Sequence, residues 1–238
     1  MNQIDSAVSY LLFKGQPAES NSWQAISPLE EMFEVLDLFL QMPLCQSRDE
    51  LMKMTKADLP WAEDHFQERL SGPSNPGREY KNWPYYRSED DDPRFRFDGE
   101  FSHTYQERFW PPKQKGIRFE MGDYSDVVDR LNSDPPTRQA FLSIWHPEDQ
   151  SNTPKRRLPC SIGYWFKKEG SRLNLTYLIR SCDAARHLRN DVYMAQRLAM
   201  VVANSVDLRV GRMSMWIGSL HYFKSDVYHL KKKLCQKL

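Results

Sequence analysis

Apolar and polar residues alternate along Met32–Leu40 (MFEVLDLFL), and this two-residue period predicts a β-strand. Residues 1–57 otherwise carry only short apolar runs. Leu59–Leu70 (LPWAEDHFQERL) has Pro60 near its start and Gly72 just beyond its end, which predicts a short helix. From Ser71 to Phe101 the chain is rich in Pro, Gly, Asp and Trp and contains the acidic run Glu89-Asp90-Asp91-Asp92, so a long solvated loop is expected. Beyond it the pattern becomes more regular. Asp123–Leu131 predicts a helix and Arg138–Trp145 a strand. Cys160–Lys167 and Arg172–Arg180 are apolar-rich runs separated by Lys168-Glu169-Gly170-Ser171, a hairpin pattern. Val192, Ala195, Ala199, Val202 and Val206 form a helical stripe within 191–206, and Met213–Phe223 predicts a last strand. Strands dominate, with helices interspersed rather than in strict alternation. That order predicts an α+β fold built on a large mixed sheet.

Composition narrows the function. The 238 residues are expected to form one domain, 1–238, and 40% hydrophobic with 27% charged residues suits a soluble globular chain. No apolar run approaches the roughly 20 residues that span a bilayer. The start MNQIDSAVSY has neither a basic segment nor a cleavage site, so a cytoplasmic protein is expected. Lys and Arg number 33 against 32 Asp and Glu, so no global basic field exists to hold a nucleic-acid polymer. A small anion needs only a few local arginines and stays possible. Cys45, Cys160, Cys182 and Cys235 are far apart with no CxxC, which predicts reduced thiols and no metal site.

Two segments carry candidate chemistry. Arg156-Arg157-Leu158-Pro159-Cys160 places a thiol at the start of a strand near two cations, which favour the nucleophilic thiolate. A buried cysteine is more often an inert small hydrophobe. Arg180-Ser181-Cys182-Asp183 offers a guanidinium fork and a hydroxyl where a strand ends, a combination suited to phosphate. Alone, it reads equally as an exposed turn.

Taken in order, Asp134-Pro135-Pro136-Thr137-Arg138 with Ser143-Ile144-Trp145, then Cys160, Arg180-Ser181-Cys182-Asp183, Arg189-Asn190-Asp191 and Gly218-Ser219-Leu220-His221 resemble the thymidylate synthase superfamily. The resemblance covers 105–223 and is weak before it. It implies a homodimer, packed through its sheets, with shared active sites. The implied chemistry is transfer of a one-carbon unit from 5,10-methylenetetrahydrofolate to C5 of a pyrimidine nucleoside monophosphate. Cys160 would add to C6 and so break the ring's aromatic resistance to attack at C5. Arg180 and Ser181 would hold the phosphate, and Arg138 would reach the partner's phosphate. Asp183 would contact the folate pterin, Tyr105 would help position water and base, and His221 would bond the sugar 3′-hydroxyl. Gln139 stands where the family often has a second arginine, and Phe223 where it usually has tyrosine, so one phosphate contact and one sugar contact are expected to be missing. Few residues follow Phe223, so closure over folate is expected to differ.

Asp191 bears on the base. Thymidylate synthases place Asn there, with one donor and one acceptor for uracil. An ionised carboxylate only accepts, so it suits the 4-amino group of cytosine and opposes the O4 of uracil. The local sequence looks most like bacteriophage deoxycytidylate hydroxymethylases, and dCMP to 5-hydroxymethyl-dCMP is the expected reaction. A role for Asp191 as helix N-cap is compatible with this. The family's general acid/base Glu falls nearest His65, which leaves Glu68, on the same helix face, ahead of Glu63. Trp83, Phe109 and Trp110 are candidates to stack on the pterin. The rivals are a dCMP or dUMP methylase of the same fold, a non-catalytic nucleotide-binding relative, and a cysteine hydrolase using Cys160 with His221.

Overall fold

The alternation at Met32 does produce a strand, and a six-stranded sheet is built around it. The computed structural model describes residues 2–19, 30–86, 96–97, 100–110, 123–150 and 158–235. Its strands are β1 (Gln16–Ala18), β2 (Met32–Pro43), the two-residue pair β3 (Arg96–Phe97) and β4 (Glu100–Phe101), β5 (Phe141–Ser143), β6 (Ser161–Glu169), β7 (Arg172–Asp183) and β8 (Arg209–Phe223). Its helices are α1 (Gln3–Lys14), α2 (Arg48–Thr55), α3 (Trp61–Leu70), α4 (Tyr105–Phe109), α5 (Asp123–Ser133), α6 (Leu188–Ser205) and α7 (Val227–Cys235). The large sheet runs β1-β2-β8-β7-β6-β5, antiparallel throughout except that β7 and β8 are parallel. Parallel neighbours need a crossover, and α6 supplies it by packing back on both strands. The expected α+β class with a mixed sheet is the observed one.

The two faces of the sheet differ. One row, Leu40–Met215–Tyr177–Tyr164–Leu142, crosses five strands and is buried at every position. A second row, Met42–Met213–Leu175–Phe166, is buried as well. Each such side chain contributes about 1.5–3 kcal/mol by leaving water. On the other face the register places Phe39, Trp216 and Leu178 side by side, with Phe141 and Trp165 paired further along. Phe39 is 60% and Phe141 39% exposed.

Several boundaries differ from the sequence pattern. The strand expected over Arg138–Trp145 is only Phe141–Ser143, because Asp134 and Thr137 close a turn before it. After it, Ile144 and Trp145 both donate to the Ile162 carbonyl, which ends the ladder. The hairpin turn at Gly170 forms with φ 57°, a region that favours glycine. α1 and α2 were hidden in the segment read as short apolar runs. Ile4, Ala7, Val8 and Leu11 make the i, i+3, i+4, i+7 stripe of α1, and Asn2 caps it by accepting from Asp5 N–H at 2.8 Å. α7 was also unexpected, with Leu230 as its buried anchor. The acidic run 89–92 lies outside the described residues.

Candidate active site

Cys160 stands on the bend that leads into β6 and is half-buried. The loop before it is fixed from three directions. Arg180 donates from Nε to the Pro159 carbonyl at 3.0 Å and from Nη2 to the Leu158 carbonyl at 3.1 Å. Trp145 Nε1 donates to the same Pro159 carbonyl at 2.8 Å, and Arg180 N–H donates to the Cys160 carbonyl at 2.9 Å. Arg156 and Arg157 lie outside the described residues. Two of the other cysteines, Cys45 and Cys182, are held in the thiol form. Burial raises the Cys45 thiol to about 11, and burial followed by the Asp191 charge holds Cys182 well above the usual range.

Beside Cys160, the Ser161 hydroxyl shares hydrogen bonds with Tyr105 at 3.0 Å and Tyr177 at 2.6 Å. Tyr105 comes from α4, whose start is fixed by a reciprocal cap between Thr104 and Glu107. Burial first, and then nearby negative charge, raises the Tyr105 and Tyr177 phenols, so both keep their protons at neutral pH. Arg69 of α3 lies over the Tyr105 ring, 4.1 Å from its centroid. No sequence signal drew attention to Arg69, whose polar character alone reads as helix surface.

Asp191 is placed in the first turn of α6. The helix begins at Leu188, and Asp191 N–H donates to the His187 carbonyl at 2.8 Å, so Asp191 is not the N-cap. The cap reading therefore fails, and the reason is that the helix starts three residues earlier than its apolar stripe suggested. The carboxylate instead accepts from the Cys182 thiol at 3.6 Å. Burial raises its proton affinity, while His187 and Arg69 pull in the opposite direction. Cys160, Tyr105, Arg69 and Asp191 thus belong to one electrostatic neighbourhood.

Two carboxylates of α3, Glu63 and Glu68, are engaged. Glu63 accepts from Arg197 at 2.9 and 3.0 Å, from Tyr193 at 2.7 Å and from Gln67 at 2.7 Å. Burial opposes its charge, but these donors, led by Arg197, bring it down to about 2. Glu68 accepts from Gln106 at 2.8 Å, from the backbone N–H groups of Arg78 and Glu79, and faces His65 Nδ1 at 3.4 Å. Glu68 thus gathers the 77–79 segment and α4 onto α3. His65, stacked on Trp61 at 5.2 Å, is held neutral with its value near 4, by burial first and then by Arg69.

The remaining predicted residues separate into three places. Asp183 ends β7 and accepts from the N–H groups of Ala185 and Arg186 at 2.8 and 3.1 Å, forming the turn into α6. His221 lies opposite Asp183 on β8 and is buried; burial lowers its value, so it is neutral. Ser181 pairs with Ser219 two residues earlier in the same ladder. Arg138 is exposed, and its carbonyl accepts from Trp165 Nε1 at 3.0 Å. That tie puts it roughly 15 Å along β6 from Cys160, outside the cluster of its own chain. Trp83 stacks on His187 at 4.8 Å and borders the cluster. Phe109 is 1% exposed and packs on Tyr164, so it belongs to the core rather than to a stacking surface. Trp110 donates to the Arg69 carbonyl at 3.0 Å and helps hold the end of α3. Among the described residues no group of three or more His, Cys, Asp or Glu is arranged to hold a metal. No helix there is long and apolar enough to cross a membrane.

The chain is similar in sequence to several known proteins. A putative thymidylate synthase of Methanococcoides burtonii is 28% identical over 135 residues, covering 56% of this chain and 58% of that protein. The thymidylate synthase of Novosphingobium aromaticivorans is 33% identical over 96 residues, 40% of this chain and 29% of that one. A bifunctional dihydrofolate reductase-thymidylate synthase of Zea mays is 28% identical over 110 residues, 46% and 20% of the two chains. Each match thus spans less than two-thirds of the curated relative. The family model described as thymidylate synthase covers residues 24–238, nearly the whole sheet and every residue of the cluster, and the chain belongs to the thymidylate synthase family.

Proposed function

We propose that this chain transfers a one-carbon unit to C5 of a pyrimidine nucleoside monophosphate, and that its preferred reaction converts dCMP to 5-hydroxymethyl-dCMP. The observation that carries the base choice is Asp191. Its carboxylate is in the first turn of α6, is not used as a cap, and shares its surroundings with Tyr105 beside the nucleophile. A carboxylate accepts from the 4-amino group of cytosine and steadies a proton on N3, which draws electrons from C6 and assists the thiolate. Cys160 adds there and leaves at the end. Tyr105 and Tyr177, both protonated, hold Ser161 and keep the nucleophile's strand in place.

The family's one-carbon donor is 5,10-methylenetetrahydrofolate, which brings a methylene carbon ready to be attacked by C5. Trp83 fits its flat, acceptor-bearing pterin ring. The indole stacks on His187, and its buried Nε1–H has no hydrogen-bond partner among the described residues. Asp183, His221, Ser181 and Arg180 close one end of the β7–β8 ladder, which suits a sugar phosphate entering there. Glu68 is the proposed proton-relay group, acting with His65 at 3.4 Å.

Two copies are proposed to pair through the open sheet face. Phe39, Trp216, Leu178, Trp165 and Phe141 form an apolar surface that a second sheet would cover, and Arg138 on the same side would then reach the partner's site. A cytoplasmic location is part of this reading. The rival is C5 methylation, which the names of the curated relatives favour. Incubating C5-tritiated dCMP and dUMP with methylenetetrahydrofolate separates them. The proposal expects tritium release from dCMP and a product heavier than dCMP by CH2O; release from dUMP alone, or a product heavier by CH2, overturns it.

A further inference from the structure

Arg69 is 5% exposed, and its Nε–H has no hydrogen-bond partner among the described residues. Burying a charged donor without an acceptor is costly, so a site that keeps one is built for something that arrives and accepts. The surroundings say where that acceptor sits. The guanidinium lies 4.1 Å from the centre of the Tyr105 ring, and Tyr105 bonds Ser161, the residue after Cys160. The Arg69 charge is also felt by Asp191. If Cys160 bonds C6 and Asp191 takes the group on C4, the ring atom between them is C5. A side chain near both Tyr105 and Asp191 would then lie close to that atom.

We propose that Arg69 holds the oxygen that is added to the carbon on C5, donating its Nε–H first to the attacking water and then to the hydroxyl of the product. The inference rests on the hydroxymethylation reading above. In the step, the water oxygen bonds to the exocyclic methylene carbon. The methylene–C5 electron pair moves into the ring as C5=C6, the C6–S bond breaks, and its pair stays on the Cys160 sulfur. One water proton is lost to solvent. Arg69 cannot take that proton, because a guanidinium has donors only. Its part is to occupy one lone pair of the water so that another faces the carbon.

Binding of three nucleotides tests this without turnover: dCMP, 5-methyl-dCMP and 5-hydroxymethyl-dCMP, titrated by calorimetry against wild type, Arg69→Met and Arg69→Lys. Wild type should bind the hydroxymethyl compound about tenfold more tightly than the methyl compound, the size of one charge-assisted hydrogen bond. Arg69→Met should erase that gap, whatever its effect through the Asp191 charge on the affinity common to all three, and Arg69→Lys, which keeps the charge if Met does not fold, should narrow it. A gap that survives in both variants overturns the proposal, as does equal weakening of all three ligands. Wild type that binds all three without a gap overturns the role of Arg69 alone. Wild type that binds none of them overturns the nucleotide reading as well.

Discussion

Tyr105 and Ser161 share a 3.0 Å hydrogen bond, which ties α4 to the residue next to Cys160. The same serine is bonded to Tyr177 of β7, so two other chain segments fix the start of β6. A nucleophile needs this restraint, because small errors in approach geometry cost large factors in rate. Arg180 adds to it from below by donating to two carbonyls of the preceding loop. Both sides of Cys160 are thereby held before any substrate enters.

The first expectation follows from that rigidity. Cys160→Ala should abolish turnover and leave nucleotide affinity within a few-fold of wild type, since the thiol acts along the reaction path and the pocket is held by other residues. Paired measurements of product formation and nucleotide binding check it. Substantial activity in the variant would discard covalent addition.

Stability should fall in acid in two stages. Neutral, buried His65 has its value lowered from 6.5 to about 4, so the unfolded chain binds the proton first and stability declines as pH drops from 6.5 towards 4. Glu63, lowered from 4.5 to about 2, contributes stability above pH 4.5 that is lost as pH falls towards 2. Removing the Glu63 charge leaves Arg197 without its partner, and Glu63→Gln should cost about 3 kcal/mol at neutral pH. The variant should also lose the lower acid stage and keep the upper one. Melting temperature recorded from pH 7.5 to 3 reads both; a flat profile above pH 4.5 would remove the His65 assignment.

The ordered motifs of the second half were legible in the sequence by their residues and order, even where, as at 134–138 and Cys160, they lie in turns and bends. Cys160 stood out by the proline and two arginines before it, and Tyr105 and Asp191 through the resemblance the motifs carry; the structure draws the three into one neighbourhood. Glu63 and Glu68 were harder. Their spacing gave a helix face, but only tertiary contacts reveal that Arg197, Tyr193 and Gln106 surround them. Arg69 was missed for a related reason. A charged residue near a helix end reads as solvated, and its burial depends on Tyr105, thirty-six positions away and in another helix. α1 was missed although its stripe at Ile4, Ala7, Val8 and Leu11 is in the sequence, because the short runs after it obscured the period.

Assembly gives a third expectation. Arg138 is exposed, and the Trp165 bond holds its backbone well along β6 from its own Cys160. If it serves a partner's site, Cys160→Ala and Arg138→Ala chains are each inactive alone, while a mixed dimer contains one site with both residues intact. Mixing the two after mild unfolding should recover about a quarter of wild-type activity, on the statistics of random pairing. No recovery in a verified mixed dimer counts against a shared site.

The last expectation concerns Asp191 and the base. On the proposed reading, the wild-type carboxylate faces the 4-amino group and N3 of cytosine. With uracil it faces the O4 lone pairs, and only N3–H remains to satisfy it. A buried polar mismatch of this kind supports discrimination of about 10⁴. Asp191→Asn replaces an oxygen acceptor by an amide donor at nearly constant volume, so the helix and the Cys182 contact can persist. The variant should lose dCMP turnover and gain dUMP turnover, reversing the ratio of the two kcat/KM values. Because Asp191 is not the cap of α6, its replacement should shift the melting temperature little. A large loss of stability with an unchanged base preference would make Asp191 a structural residue, and the chain's chemistry would then have to be sought among the uracil-directed members of its family.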